Sequence, residues 1–304
     1  MTKQEDEARR HAFSQLLTAD DFRPLSATVQ VEIGARSHRG TVQLHNEDHY
    51  LAVELARRQQ VLTTSLTGAE VPARFEEHGY AMLVADGLGT TGAGAMAGRV
   101  AISTIAHLAL HYGRWSLRVD PKTAEDLFAR AQFFYTQADA AVMAKSRTSP
   151  ALEHMATALT AAYSAGSDLI VAHVGHTRAY LYRGGHLLLL TRDHTVEKQL
   201  ADVGRPVAIE RRGQDLQHIL TDAVGAGGER PMVDVEQFKL EDGDVLLLCT
   251  NGLSDVVDED RIADVLSMTR RSEDQCQMLV DLALEAGGPD NVTVLMAQYR
   301  VPRS

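Results

Sequence analysis

The stretch YAMLVADGLGTTGAGAMAG at positions 80–98 decides how this chain folds. A continuous apolar run from Tyr80 to Ala85 reads as a central strand, and it ends on Asp86 beside Gly87. Gly87, Gly89 and Gly92 then match the spacing G-x-G-x-x-G, and a helical pattern follows. That is the context of a dinucleotide-binding loop on a parallel sheet. The match fails downstream. A dinucleotide fold needs an acidic residue about 20 positions on, at the end of a second parallel strand. Here that region reads HLALHYGRWS, still helical, and Asp120 arrives late, in front of Pro121, where it starts a helix. The other reading makes Asp86 itself the functional group: a carboxylate at a strand end, with a glycine that lets the main chain approach a ligand.

The pattern on either side favours antiparallel pairing. Upstream, ATVQVEIGARS alternates, with Val29, Val31 and Ile33 on one face and Gln30 and Glu32 on the other, as in a half-buried strand. A second strand is expected over Gly40–Leu44. HYLAVEL (49–55) continues the β pattern, and 56–78 reads as a hairpin excursion. Downstream, a helix is predicted from Pro121 to near Lys145, with Leu127, Ala131, Phe134, Tyr135, Ala138 and Val142 at helical spacing. Then come ALTAAYSA, DLIVAHVG, TRAYLYR and HLLLLTR, with a hairpin turn at Gly184-Gly185. A short helix is expected in TVEKQLADVG and strands in MVDVEQFKL and DVLLLCT. Ser272-x-x-Gln275 reads as a capping box for a helix with Cys276, Leu279, Val280 and Ala283 on one face, stopped by Gly287-Gly288. NVTVLMAQY (291–299) is the last strand. Hairpin-linked strands with two long helices between them and two more near the end imply an α+β protein, two antiparallel sheets packed together with helices outside. Residues 1–25 read as a charged lead-in and 26–304 as a single domain.

The formal net charge is -11 over 304 residues, which disfavours phosphate backbones and anionic lipid as partners. Two cysteines, Cys249 and Cys276, make no disulfide framework and read as small core residues. The opening MTKQEDEARRHAFSQLL lacks the apolar stretch of a signal peptide, and no run approaches the roughly 18 apolar residues of a membrane span. A cytoplasmic protein is expected.

Two sets of residues carry candidate chemistry. His45-Asn-Glu-Asp-His49 places two histidines at i and i+4, but Asn46 stands where a zinc-protease helix needs glutamate, and the flanking pattern is extended. Polar loop histidines are the better reading. The other set is distributed. Glu47-Asp48 is read as following a strand, Asp86 ends one, Asn251 follows VLLLCT, and Asp290 precedes the last. Any one suits an Asx turn. Four together at the ends of apolar strands suit a hard divalent cation, Mg²⁺ or Mn²⁺, which takes carboxylates, a backbone carbonyl and waters.

In order along the chain, GTVQLHNEDHY, VADGLGTTGAGAMA, MATALTAAY, VAHVGHTRAYLYRGGHLLLLTRDHT, LLLCTNGLSD and GGPDNVTVL resemble the bacterial metal-dependent protein serine/threonine phosphatases of type 2C, from about Val29 to Tyr299. The resemblance implies a four-layer α-β-β-α sandwich with two metals, Mn²⁺ or Mg²⁺, at one end of the sheets. It implies that Asp86 bridges the metals, that the Gly87 carbonyl binds one, that Asn251 and Asp290 complete the other, and that Glu47 and Asp48 hold waters for catalysis. The implied activity is hydrolysis of phosphoserine and phosphothreonine on proteins by a metal-bridging water, opposing a bacterial Ser/Thr kinase, in a monomer. Three positions depart from the family. Gln43 stands for its phosphate-binding arginine, leaving Arg39 and His45 as nearby groups for that contact. His176 stands for an aspartate of a third metal site, with Asp255 retained, and Asn251 stands for another aspartate. These departures imply an absent or weak third metal, and they motivate a second reading, a degenerate, weakly active phosphatase fold that binds phosphoproteins or a partner.

Overall fold

The alternating segments of the sequence form two five-stranded sheets in the computed structural model, which describes residues 28–66, 71, 74–89, 92–112, 121–204, 216, 218–227 and 230–302. The charged lead-in at 1–25 lies outside the described residues. In chain order the strands are β1 (Gln30–His38), β2 (His49–Gln60), β3 (Arg74–Leu88), β4 (Ala156–Ala165), β5 (Asp168–Val174), β6 (Arg178–Arg183), β7 (His186–Leu189), β8 (Asp234–Lys239), β9 (Val245–Cys249) and β10 (Val292–Arg300). The helices are α1 (Ala93–Tyr112), α2 (Pro121–Ser146), α3 (Val196–Asp202), α4 (Asn251–Ser254), α5 (Glu259–Leu266) and α6 (Ser272–Glu285). One sheet has the order β1-β10-β9-β6-β7 and the other β2-β3-β4-β5-β8. Each pairing between named strands is antiparallel.

Successive residues of one strand serve two different cores, as the period of two requires. Met82 and Val84 of β3 pack with Leu246 and Leu248 of β9 and Leu295 and Ala297 of β10 between the sheets. Leu83 and Ala85 face the opposite way, under α1 and α2 with Ala97, Ala101, Tyr135 and Val142. Leu247, Cys249, Val294 and Met296 face the other outer layer, with Ile262, Cys276, Leu279 and Ala283. The order is therefore helix, sheet, sheet, helix. Both cysteines are free and buried, and burial pushes each thiol up to about 12. The Tyr135 hydroxyl ties α2 to the sheet by donating to the Ala172 carbonyl at 2.8 Å.

Several local expectations are corrected. Gly40–Leu44 is a succession of turns and bends, because its main chain bonds to the loop before β10 instead of a neighbouring strand, with Thr41 N donating to Gly288 O at 2.8 Å. Val42 and Leu44 of that loop are exposed. The 56–78 excursion is shorter than its polar composition suggests: β2 runs on to Gln60 and β3 begins at Arg74. Ser272 and Gln275 form no capping box. Arg271 is the N-cap, Ser272 Oγ donates to the Glu32 carbonyl on β1, and Gln275 Nε2 donates to Val265 O and Met268 O. Both side chains were drawn off the helix end because they are buried against neighbours that need donors. By length and composition Ala93–His111 passes as a membrane-crossing helix, since alanine and glycine count as apolar. Here Ala93, Ala97, Ala101, Ile102 and Ile105 of that helix are buried in the core.

A buried polar link joins β4 and β5. His173 Nε2 lies 3.1 Å from the Gly175 carbonyl and its Nδ1 lies 2.8 Å from Thr160 Oγ1. A carbonyl only accepts, so Nε2 carries the proton and Nδ1 accepts from threonine. Burial, and then His194 nearby, push this imidazole from its ordinary 6.5 down to about 3. The unfolded chain binds the proton near 6.5 and the folded chain does not. The stability contributed is therefore complete above the unfolded value and is lost as pH falls towards the folded one. The urea midpoint is expected to drop between pH 7 and pH 5, and His173→Gln to flatten that slope; an equal slope in both proteins would show that His173 does not titrate on unfolding.

Candidate metal centre and active site

Antiparallel pairing brings the start of β2, the end of β3, the end of β9 and the start of β10 to one edge of the sandwich. Asp86 and Gly87 sit in the last residues of β3, opposite Ala158 and Thr157, and Thr157 Oγ1 donates to the Asp86 carbonyl at 2.8 Å. Glu47 and Asp48 immediately precede β2 and do not follow a strand, because the loop ahead of them is irregular. Asn251 opens α4 directly after β9, with Thr250 in the N-cap position and no side-chain cap hydrogen bond. Asp290 stands two residues before β10. Asp86, Gly87, Glu47, Asn251 and Asp290 line one cleft of about 390 Å³. Asp48 is buried behind it, with Oδ2 accepting from Thr250 Oγ1 at 2.8 Å.

Two close approaches require glycine. A Cβ on Gly87 would run into the backbone of Gly94 and the Glu47 carbonyl, and one on Gly252 would run into the Asn291 carbonyl. The main chain at Gly87 is thereby pressed between β2's leading loop and the start of α1. The Gly92 amide donates to Glu47 Oε1 at 2.7 Å, which fixes the glutamate as well.

The electrostatics are those of a cation site. Burial first, and then the negative charges of Asp48, Asp290, Asp255 and Glu47, push Asp86 well above the usual carboxylate range. Burial pushes Asp48 up to about 7, with Asp290 and Glu47 adding to the rise and the Thr293 and Thr250 hydrogen bonds opposing it. Like charges crowded in this way are stabilised by an opposite charge among them. Three buried polar atoms here have no partner among the described residues: Asp48 Oδ1, Asn251 Oδ1 and His176 Nδ1. Asn251 Nδ2 donates to Asp255 Oδ2 at 3.1 Å. The opposite amide orientation would set two acceptor oxygens against each other, so the free Oδ1 is the consistent assignment. An unpartnered carboxylate oxygen, an unpartnered amide oxygen and a strand-end carbonyl fit Mg²⁺ or Mn²⁺. Among the described residues, no three His, Cys, Asp or Glu side chains close on one point as a complete cage. That accords with this donor set, in which a carbonyl, an amide and waters fill positions that side-chain acids do not.

The neighbouring candidates divide. Gln43 and His45 line the cleft, and Gln43 Nε2 donates to Asp290 Oδ1 at 3.2 Å. Arg39 Nη1 reaches the Gln43 carbonyl at 3.3 Å and is not among the residues lining the cleft. His49 is turned away to the Ala95 carbonyl at 3.0 Å, so the two histidines of the His45–His49 stretch do not converge. His176 is buried, with Nε2 3.7 Å from Asp86 Oδ2, and burial pushes it down to about 4. Asp255 lies in an adjoining cavity of about 220 Å³ that also contains the paired Arg178 and Asp193, 2.6 Å apart.

Asn291 escaped the sequence reading. Its Nδ2 donates to the Arg39 and His45 carbonyls, each at 2.9 Å, and its Oδ1 accepts from the Glu47 amide at 2.7 Å. One side chain thus holds the loop that carries Gln43, His45 and Glu47. The signal was available: two adjacent Asx residues, Asp290-Asn291, precede a strand that needs only one to turn.

The model of the family described as protein phosphatase 2C matches residues 72–285. The chain is 32% identical over 270 residues to the serine/threonine protein phosphatase PstP of Mycobacterium tuberculosis, covering 89% of this chain and 45% of that protein. It thus spans less than half the length of that relative. It is 27% identical over 265 residues to the serine/threonine phosphatase stp of Listeria monocytogenes, covering 86% of this chain and 94% of that one. The structure of the catalytic domain of PstP in complex with two manganese ions superposes with a TM-score of 0.67 at 30% identity, over 90% of this chain and 99% of that one.

Replacing Asn291 with alanine removes three hydrogen bonds and leaves the Glu47 amide unpartnered. A loss of about 2–3 kcal/mol in urea unfolding is expected, with faster amide exchange at 39–47 than in the strands. Protection of that loop equal to wild type would show that it is held by other contacts.

Proposed function

The chain belongs to the protein phosphatase 2C family, and from that premise we propose that it hydrolyses phosphoserine and phosphothreonine on proteins with two Mn²⁺ or Mg²⁺ ions. The observation that carries this reading is the crowd of carboxylates at the strand ends, in which Asp48 Oδ1 and Asn251 Oδ1 are buried acceptors without a donor. The manganese-containing relative supports the same reading. Asp86, the Gly87 carbonyl, Asn251 and Asp290 would hold the cations. Bound there, they supply Lewis-acid activation of water and neutralise charge developing on the phosphoryl group.

The chain's own residues do the rest. Glu47, pinned by the Gly92 amide, and Asp48, pinned by Thr250, accept hydrogen bonds from water and orient it towards the cleft. Gln43 contributes a neutral amide where the family carries a guanidinium. It offers no charge and no bidentate fork, so it binds phosphate more weakly, and His45 is the adjoining group in the same cleft. The substrates are targets of a serine/threonine kinase, and the compartment is the cytoplasm. The catalytic domain is 26–304, acting as a monomer, with 1–25 as a separate lead-in.

Hydrolysis of p-nitrophenyl phosphate and of a phosphothreonine peptide is expected to rise with Mn²⁺ and to vanish in Asp86→Ala. Wild type no faster than Asp86→Ala at saturating metal would leave a binding protein with a phosphatase fold. Asn251→Asp restores one negative charge at the site. It is expected to tighten Mn²⁺ by about tenfold or more in calorimetric titration, since a unit charge at about 4 Å is worth up to roughly 4 kcal/mol at an effective dielectric near 20. Unchanged affinity would make Asn251 a turn residue only.

A further inference from the structure

We propose that Val42 and Leu44 form an apolar rim that selects the substrate segment, favouring phosphoproteins with a leucine-like side chain two positions before or after the phosphorylated residue. This rests on the phosphatase reading above. Val42 is 69% exposed and Leu44 77% exposed, and neither joins any of the three apolar cores. Single apolar side chains scattered on a surface need no explanation, but two on the wall of one cleft do. Gln43 stands between them and donates to Asp290 Oδ1 at 3.2 Å. All three line the cleft with Asp86, and Leu88 from the end of β3 adds another apolar side chain to the same lining.

The exposure is built into the loop. At one end Thr41 N donates to Gly288 O at 2.8 Å and Thr41 Oγ1 donates to Gly287 O at 2.5 Å. At the other, Asn291 Nδ2 donates to the His45 carbonyl at 2.9 Å, and Asn291 Oδ1 accepts from Glu47 N at 2.7 Å. Gly40 lies so close to Asp290 that a Cβ on it would run into the Asp290 carbonyl. Held at both ends, the loop keeps Val42 and Leu44 in water at the mouth of the cleft. The surface they leave there is what an apolar side chain of a bound segment covers, and taking it out of water favours binding.

Strand geometry sets which substrate positions meet the rim. The phosphorylated side chain must point into the cleft to reach the acids at its base. In a segment laid extended across the mouth, successive side chains point to opposite faces, with a rise of about 3.3 Å per residue. The two immediate neighbours of the phosphorylated residue therefore point away from the cleft. The residues two positions on point towards it, about 7 Å along the segment, and lie against Val42 and Leu44. The rim at 42–45 carries two apolar side chains, an amide and an imidazole, and no carboxylate or lysine. Its contact with the segment is burial of apolar surface and not ion pairing.

The test measures hydrolysis of three phosphothreonine peptides by the full chain in Mn²⁺. One peptide has leucine two positions on either side of the phosphothreonine, one has serine there, and one has leucine at the adjacent positions instead. In wild type kcat/KM for the first is expected to exceed that for the other two by about tenfold or more, with the difference in KM. Val42→Ser/Leu44→Ser is expected to bring the ratio of the first two peptides below about threefold, and Leu44→Ser alone to lower it at least about twofold. Val42→Ile/Leu44→Met is expected to keep the wild-type ratio. A general loss of activity cancels in these ratios. Equal kcat/KM for the three peptides in wild type overturns the proposal and leaves the phosphatase reading standing, and so does a preference for leucine at the adjacent positions. A wild-type ratio that persists in the serine variants overturns it in favour of another surface. No hydrolysis of any peptide or of p-nitrophenyl phosphate at saturating Mn²⁺ overturns this proposal and the phosphatase reading together.

Discussion

Packing two antiparallel sheets face to face forces the ends of four strands into one place, and this chain puts acids there. Asp48 and Asp86 repel each other and repel Asp290, and burial raises the cost of each charge. The arrangement is tolerated because the apolar faces on either side of each sheet leave the strands no other register. A slip of one residue would move Met82 and Val84 out of the inter-sheet core and Leu83 and Ala85 into it. The stability of the sandwich thus holds a locally unfavourable arrangement of acids, one that a bound cation would relieve.

Polar side chains make that arrangement rigid. Thr250 bonds both Asp48 and the Thr293 amide, linking the leading edge of β2 to β9 and β10. Asn291 holds the loop from Arg39 to Glu47 by three bonds. Gly87 and Gly252 leave room where backbones meet. None of these groups is an acid, and all of them act by setting where the acids stand.

The three departures that the resemblance implies each remove a formal charge, of opposite sign on the two sides of the cleft. Gln43 for arginine removes a positive charge from the phosphate side of the cleft, while Asn251 and His176 for aspartates each remove a negative charge from the metal side. The net formal change at the cleft is therefore one unit of charge, no larger than that of a single replacement. What changes is the chemistry of the side chains: two amides and an imidazole replace ionic groups. The adjoining cavity keeps charged side chains, with Arg178 and Asp193 2.6 Å apart and Asp255 in the same lining.

Period-two alternation, helical spacing and the Gly184-Gly185 turn determined the strands, the long helices and the antiparallel class, because these depend on which residues must leave water. The acids at strand ends were also legible, since a polar group at the end of an apolar run is a local signal. Local signals misled where a side chain had a distant partner. Ser272 and Gln275 look like a helix cap and instead bond to β1 and to the end of α5. Gly40–Leu44 looks like a strand and has no strand to pair with. Asn291 reads as the first residue of the last strand and holds a loop nearly 250 positions away in sequence. Only the tertiary structure decided which of the polar residues face one another. Convergence across |i−j| of 200 or more, as between Asp48 and Thr250, is set by the packing of two sheets and has no trace in the neighbours along the chain.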